Sequence, residues 1–366
     1  MTEEQFRADA RAWLAAHAGP SHLDPPALPF ADAGDDAHLE RGRAWQRELH
    51  AGGWAGLGWP AEYGGRDLPA PLQAVWAEEL AAVGAPPPVN LIGEAVAGPA
   101  ILAHGTEAQR RRYLPPILDA GELWCQLFSE PDAGSDLAAV SANATRGDGG
   151  WTVDGHKTWS SGAHFADRGL LLARTDADVP KHQGLTVFLL DMRQPEVTVR
   201  PVRQMTGGSA FDDVILAGAR IDDADRLGPA GGGWAVAMTA LASERLQLGL
   251  GLARAGAGVD RLLEELRPCD DPILRQLAAQ LVVDARVAQL LSGQPGSHAA
   301  LAKLASGRVS RRYDELVDAM RGAGSMLTDR HTLRQLWLPA TRIAGGTDEV
   351  LKNVIAERVL GLPKGS

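Results

Sequence analysis

The sequence predicts an α+β protein built as three successive parts: helical, β, then helical again. Three observations predict it. Apolar residues recur at helical spacing through roughly the first 120 positions. Short apolar runs of strand length, rich in Val, Leu, Thr and Trp, replace them from Leu123 to about Ile221. Helical periodicity then returns after Gly231-Gly232-Gly233 and lasts to the end. The corresponding domains are 1–122, 123–226 and 227–366.

Each element has a local reason. Thr2 and Gln5 have capping-box spacing, and Phe6, Ala10, Trp13 and Leu14 then share one helical face. Further helices are expected around 38–52, 70–83, 94–104 and 107–119. Gly58-Trp59-Pro60, Gly64-Gly65 and Pro86-Pro87-Pro88 separate them, since proline lacks an N–H and fixes φ. In the middle part the strands are Trp151–Val153, Gly169–Arg174, Leu185–Leu190 and Asp213–Leu216. Asp154-Gly155 reads as a type I′ hairpin turn joining Trp151–Val153 to Lys157–Trp159. Strands without intervening long helices suggest an antiparallel barrel or sandwich. The last helices break at 267–272, at 292–296 and around Gly322–Gly324.

Composition narrows the function. The 366 residues carry 36 Lys plus Arg against 46 Asp plus Glu, a net charge of −10, which argues against a nucleic-acid partner held by clustered cations. The two cysteines, Cys125 and Cys269, make no disulfide framework and no CxxC pair. The acidic start lacks a signal peptide's positive n-region, and no run approaches about 18 apolar residues. A cytoplasmic protein without a membrane span is expected. Gly249-Leu250-Gly251 with Gly256 continues a helix instead of opening one after a strand, so it is read as helix packing and not as a dinucleotide fingerprint. His156 and His164 have no carboxylate at ligand spacing, and no metal is expected.

Two stretches carry chemistry. Gln126-Leu127-Phe128-Ser129-Glu130-Pro131-Asp132-Ala133-Gly134-Ser135 is a strand entering a turn dense in Ser, Gly and Pro. Such a turn either offers amides and hydroxyls to an oxygen-rich ligand or is plain solvated chain. Gly155-His156-Lys157-Thr158-Trp159-Ser160-Ser161 places an aromatic beside two hydroxyls, where the tryptophan either covers a flat heterocycle or fills the core.

Together these stretches resemble the flavin-holding motifs of the acyl-CoA dehydrogenase family. Gly58-Trp59-Pro60-Ala61-Glu62-Tyr63-Gly64-Gly65 is similar to a motif of that family's first domain. Ile343-Ala344-Gly345-Gly346-Thr347-Asp348-Glu349-Val350, running into Asn353–Gly361, resembles its closing signature. The resemblance spans the chain and implies an N-terminal α-helical domain, a central antiparallel β-barrel and a C-terminal four-helix bundle. It implies FAD as cofactor. Ser129 would meet the reactive edge of the isoalloxazine, with Gln126 and Phe128 on the same strand. Trp159 would pack on the ring system and Ser161 would hydrogen-bond it. Gly134 would lie beside the cofactor, Ser135 between flavin and the pantetheine arm of the substrate, and Thr347 and Glu349 near the pyrophosphate and ribose.

The implied reaction removes the α-proton of an acyl-CoA thioester while hydride leaves Cβ for flavin N5, giving the trans-2-enoyl-CoA. Electrons would pass to an electron-transfer flavoprotein. Many members place the base immediately before the Gly-Thr of the closing signature, where this chain has Gly345. The isovaleryl- and long-chain-type members place it instead at the Glu of Leu-x-x-Glu-Arg, and Leu241-Ala242-Ser243-Glu244-Arg245 matches. Glu244 is therefore the expected base. Arg245 is expected on the CoA-side wall or as support for its helix, and the Gly345 amide at the thioester carbonyl. By composition alone, a Glu-Arg pair on a helix reads as a solvated surface pair.

The family's Arg-x-x-Phe segment, expected near 262–275, is missing, and its Gln-x-x-Gly-Gly segment becomes Asp318-Ala319-Met320-Arg321-Gly322. Those residues normally complete the FAD site of a neighbouring subunit. Either a homodimer or homotetramer grips FAD by other contacts, or a paralogous subunit of a heteromer supplies them. The homo-oligomer is slightly preferred. Two other functions use the same scaffold: an oxidase or flavin monooxygenase, and a non-catalytic subunit of a heteromeric dehydrogenase.

Overall fold

A computed structural model of the chain describes residues 1–18, 32–292 and 298–363. It divides into two compact units, one of Met1–Leu28, Leu68–Pro86 and Glu244–Ser366, the other of Pro29–Asp67 and Pro87–Ser243.

The second unit holds the sheet. Its helix α2 (Asp36–Ala51) starts on Asp35, whose carboxylate accepts the His38 N–H at 3.1 Å. A π-helical turn, Gly93–Ala97, leads into α4 (Gly98–His104), so the helix expected over 94–104 is two elements. A second capping box, Thr106 with Gln109, opens α5 (Glu107–Leu118). Gln46 is buried on α2. It donates to the Ile117 carbonyl at 2.9 Å and to Glu94 at 3.0 Å, and it accepts the Asn90 N–H at 2.8 Å. That satisfies its side chain in a dry site.

Eight strands follow: β1 (Trp124–Leu127), β2 (Asn143–Gly147), β3 (Gly150–Ser161), β4 (Arg168–Arg174), β5 (Leu185–Asp191), β6 (Val197–Val202), β7 (Phe211–Asp222) and β8 (Arg226–Leu227). They form one sheet in the order β6-β7-β3-β2-β4-β5-β8, with β1 beside β4. Most pairings are antiparallel, as expected, but β1 runs parallel to β4 and β2 touches β4 in parallel. The reason is the route: β1 arrives from a helix, and the chain makes the whole β2–β3 hairpin before β4. Leu127, Val153, Leu171, Phe188 and Val214 come from five strands yet share one core, so the sheet curls around it.

The hairpin expected at Asp154-Gly155 is not there. β3 runs unbroken through both residues, and the turn is Asp148-Gly149, with Gly147 opposite Gly150 and Gly149 at φ +90°. Asp154 instead accepts the Gly218 N–H at 2.8 Å beside a register shift against β7. Gly155 has its own reason to be glycine, since a Cβ there would lie 2.4 Å from that of Ala142.

In the other unit α1 (Glu3–His17) carries the capping box expected at Thr2 and Gln5, with Phe6, Ala10 and Leu14 fully buried. Arg7 and Arg11 both reach Glu79 of α3 (Ala70–Ala82) at 2.7 Å. The long helix α6 spans Gly233–Leu266 and enters this unit at Glu244. The backbone of 249–256 is helical, which agrees with rejecting a nucleotide fingerprint. The side-chain packing read from those glycines lies outside the described residues. α6, α7 (Pro272–Ser292) and α8 (His298–Arg321) share a core of Leu262, Leu281, Val309 and Leu316. The chain ends in α9 (Arg330–Ile343) and α10 (Asp348–Val354). The break expected at 292–296 falls on residues outside the description beyond Ser292. Among the described residues no helix is long and apolar enough to cross a membrane.

Candidate active site

The expected site residues fall into two groups, one in each unit. In the sheet unit, Gln126 lies on β1, and Phe128 and Ser129 just after it. Glu130 and Ala133 exchange backbone hydrogen bonds of 3.0 and 3.1 Å, closing a tight turn that leaves Gly134 and Ser135 exposed. A Cβ added at Gly134 would meet nothing within 4 Å, so the chain is open to an approaching ligand there.

Three bonds tie this turn to the end of β3. The Thr158 N–H donates to the Ser129 carbonyl at 3.0 Å. Lys157, fully buried, donates to the Phe128 carbonyl at 3.0 Å and to Glu130 at 2.7 Å. Glu130 also accepts the N–H groups of Ser141 and Ala142 at 2.7 and 2.9 Å. Burial alone would raise the Glu130 carboxyl, but Lys157 and those amides hold it below the usual carboxylate range. Burial pulls the Lys157 ammonium down to about 8 against the pull of Glu130. Ser129 and Trp159 are thus fixed as near neighbours by a satisfied polar cluster.

Trp159 is the unusual residue of this group. It follows Lys157 inside a second register shift of β3, at φ +58°, and its side chain is 60% exposed. Left-handed backbone costs a non-glycine residue roughly 1–2 kcal/mol. A large indole left in water by that strain is not filling a core, so the core alternative for Trp159 fails. Phe211 meets it edge-on at 5.8 Å, which steadies the ring and leaves a face open. Open aromatic face, half-buried Ser161 and open Gly134 together fit a flat heterocycle such as an isoalloxazine.

The second group is carried by α6 and the turn after α9. Oε2 of Glu244 is buried and has no hydrogen-bond partner among the described residues. Burial raises this carboxyl to about 7, with Arg245 and Lys303 opposing. That disposes of the solvated-pair alternative. Arg245 donates to the Gly345 carbonyl at 2.7 Å. Gly345 is buried at φ +67° and Gly346 follows at φ +103°, a turn that two glycines adopt without strain. Thr347 caps α10, accepting the Val350 N–H at 3.2 Å, and Glu349 is exposed in its first turn. Both border a cavity of about 370 Å³ with Gln335, Leu338 and Arg342.

Sequence reasoning missed three contributors: Glu130, Lys157 and Lys303. For Lys303 the available signal was a lone cation between the apolar residues Ala302 and Leu304.

Sequence profiles of the acyl-CoA dehydrogenase N-terminal, middle and C-terminal domains match residues 2–121, 125–216 and 231–360. The acyl-CoA dehydrogenase IpdE1 of Mycolicibacterium smegmatis is 36% identical over 99% of this chain and 98% of its own. Its Mycobacterium tuberculosis namesake is 37% identical over the same shares. Among solved structures, a variant of the Tcur3481-Tcur3483 steroid ACAD superposes with a TM-score of 0.87 at 25% identity, covering 99% of each chain. The ChsE4-ChsE5 complex of Mycobacterium tuberculosis gives 0.84 at 25% identity, over 99% of this chain and 98% of that one. Matched along its whole length, the chain belongs to the acyl-CoA dehydrogenase family of flavoprotein oxidoreductases.

Proposed function

We propose that the chain binds FAD and dehydrogenates an acyl-CoA thioester to the trans-2-enoyl-CoA, with Glu244 as the base. The observation that carries this reading is the buried Oε2 of Glu244, unpartnered among the described residues, on the helix whose next residue grips the Gly345 carbonyl. A carboxyl held near 7 is ionised often enough to accept a proton and basic enough to want one. The α-proton of a thioester is too weakly acidic for a carboxylate alone, so a donor must polarise the carbonyl. The amide of Gly345 is assigned that task.

Gln126, Phe128, Ser129, Gly134, Trp159 and Ser161 would hold the flavin ring, Ser135 the region between flavin and the pantetheine arm, and Thr347 and Glu349 the diphosphate end. Bound FAD supplies the hydride acceptor. An electron-transfer flavoprotein is the proposed oxidant of the reduced protein. For the acyl group, the absence of a side chain at Gly345 leaves room beside Cα, and one structural relative is named a steroid ACAD. A bulky polycyclic acyl chain is therefore the proposed substrate class.

A paralogous partner is favoured over a homo-oligomer. Asp318, where the family's flavin-contacting Gln would be, is already occupied by His331 at 3.1 Å and by Gln335. Arg321 is likewise taken by Asp329. Two structural relatives are pairs of different chains by name.

Glu244→Gln in the purified assembly is expected to lose at least about a hundredfold in turnover with a dye acceptor while keeping its flavin. Retained turnover would assign the base elsewhere and favour a scaffolding subunit. Rapid reoxidation of the reduced, product-bound protein by air would favour an oxidase. One FAD per chain in protein expressed alone would exclude the obligatory heteromer.

A further inference from the structure

Lys303 sits in the second turn of α8, 3% exposed, just after the equally buried Ala300 and Ala302. A lysine out of water must spend its donors on specific acceptors. Among the described residues its hydrogen bonds go to two backbone carbonyls, Gly346 at 2.6 Å and Arg342 at 3.1 Å. The Arg342 carbonyl lies in the last turn of α9, where helix geometry leaves carbonyls without partners. The Gly346 carbonyl lies beyond the turn. One ammonium therefore grips the chain on both sides of Gly345.

Arg245 closes the arrangement from α6 by donating to the Gly345 carbonyl itself. A peptide unit is planar, so the held Gly345 carbonyl fixes the N–H of Gly346. The Gly345 N–H shares its plane with the Ala344 carbonyl and is confined by held units on either side, the Ala344 N–H being bonded to the Ala340 carbonyl at 2.9 Å. With Arg342, Gly345 and Gly346 all held, the intervening amides have no freedom to swing, despite two glycines in succession. A turn this permissive would otherwise sample many conformations.

We propose that Lys303 is a positioning residue for the dehydrogenation: it staples the Arg342–Gly346 turn so that the Gly345 amide is presented in fixed register with the Glu244 carboxylate. This rests on the base and the carbonyl-binding amide proposed above. Its charge has a second effect. Glu244 faces two cations, Arg245 and Lys303; Lys303 in turn faces Asp348, Glu244, Arg245 and Arg342, and Arg245 faces Glu244 and Arg358. Removing the ammonium leaves Glu244 with one opposing charge.

The test compares wild type, Lys303→Met and Lys303→Arg as purified holo-assemblies. Calorimetry measures binding of a substrate-like thioester and of the thioether in which a methylene replaces its carbonyl. The amide reads only the carbonyl, so the methionine variant is expected to lose about tenfold of the wild-type preference for the thioester. It is also expected to shift the acid limb of kcat/KM upward by about one unit. The arginine variant keeps the charge, so its acid limb stays in place while its preference falls. If the methionine variant does not fold, the arginine variant alone carries the test through its lost preference. Wild-type preference in whichever variant folds overturns the inference. Activity surviving Glu244→Gln would overturn the base itself, whatever the lysine variants do.

Discussion

A carboxyl that is out of water and lacks a partner on one oxygen holds its proton more tightly than in solution, and among the described residues Glu244 is in that position. Its protonated form cannot take a proton from substrate. Below about pH 7, kcat/KM is therefore expected to fall tenfold per unit, with a plateau above; a pH profile of the free enzyme with a dye acceptor checks it. A limb near pH 4.5, the ordinary value, would mean that Glu244 is solvated or is not the base. The candidacy of Glu244 as the proposed base was legible in the sequence because glycine at position 345 offers no carboxylate, and Leu241–Arg245 supplies one in a matching motif. Lys303 was not legible. A lysine on a helix ordinarily keeps its head in water, and only the fold reveals that the carbonyls of a turn about forty residues later replace that water.

At the scale of elements, β3 shows what local pattern can and cannot decide. Two Asp-Gly pairs, Asp148-Gly149 and Asp154-Gly155, are both good turn formers, and alternation on either side does not distinguish them. The register with β2 and the close approach of Ala142 to Gly155 choose the first. The same strand hides a cation. Lys157 occupies a position that in an antiparallel sheet could face water, yet it is buried because the turn after β1 brings Glu130 and the Phe128 carbonyl to it. Removing one member of a buried pair leaves the other uncompensated. Lys157→Met is expected to cost about 3–5 kcal/mol in urea unfolding. Adding Glu130→Gln to that variant should recover part of the loss, since no lone charge then stays behind. A double variant as unstable as the sum of its singles would mean that the two residues do not act as a pair.

For the whole molecule, chain order was readable and helix partnership was not. Changes of period announced helices, strands and helices in turn, because periodicity is a property of each segment alone. That α3 belongs to the same compact unit as the last helices is a long-range fact, and the Arg7 and Arg11 contacts to Glu79 give no sign of themselves in sequence. Global stability carries its own pH signature. Burial raises Glu94 from 4.5 to about 8 in the folded protein. The folded state then binds a proton that the unfolded state has released. Its contribution is complete below pH 4.5 and is lost as pH rises through 8. Urea midpoints at pH 5 and pH 8 are expected to fall more for wild type than for Glu94→Gln, which has no proton to lose. Equal falls would show that Glu94 is not responsible.

The left-handed, water-facing Trp159 has a consequence for the living cell. In the proposed site the yellow vitamin derivative would stack on that indole and offset the strain, and whatever binds only the folded form draws chains out of the unfolded pool. On that proposal, vitamin supply would govern how many copies escape proteolysis. A culture starved of riboflavin should hold fewer molecules of this protein at unchanged messenger level, and feeding the vitamin should restore them.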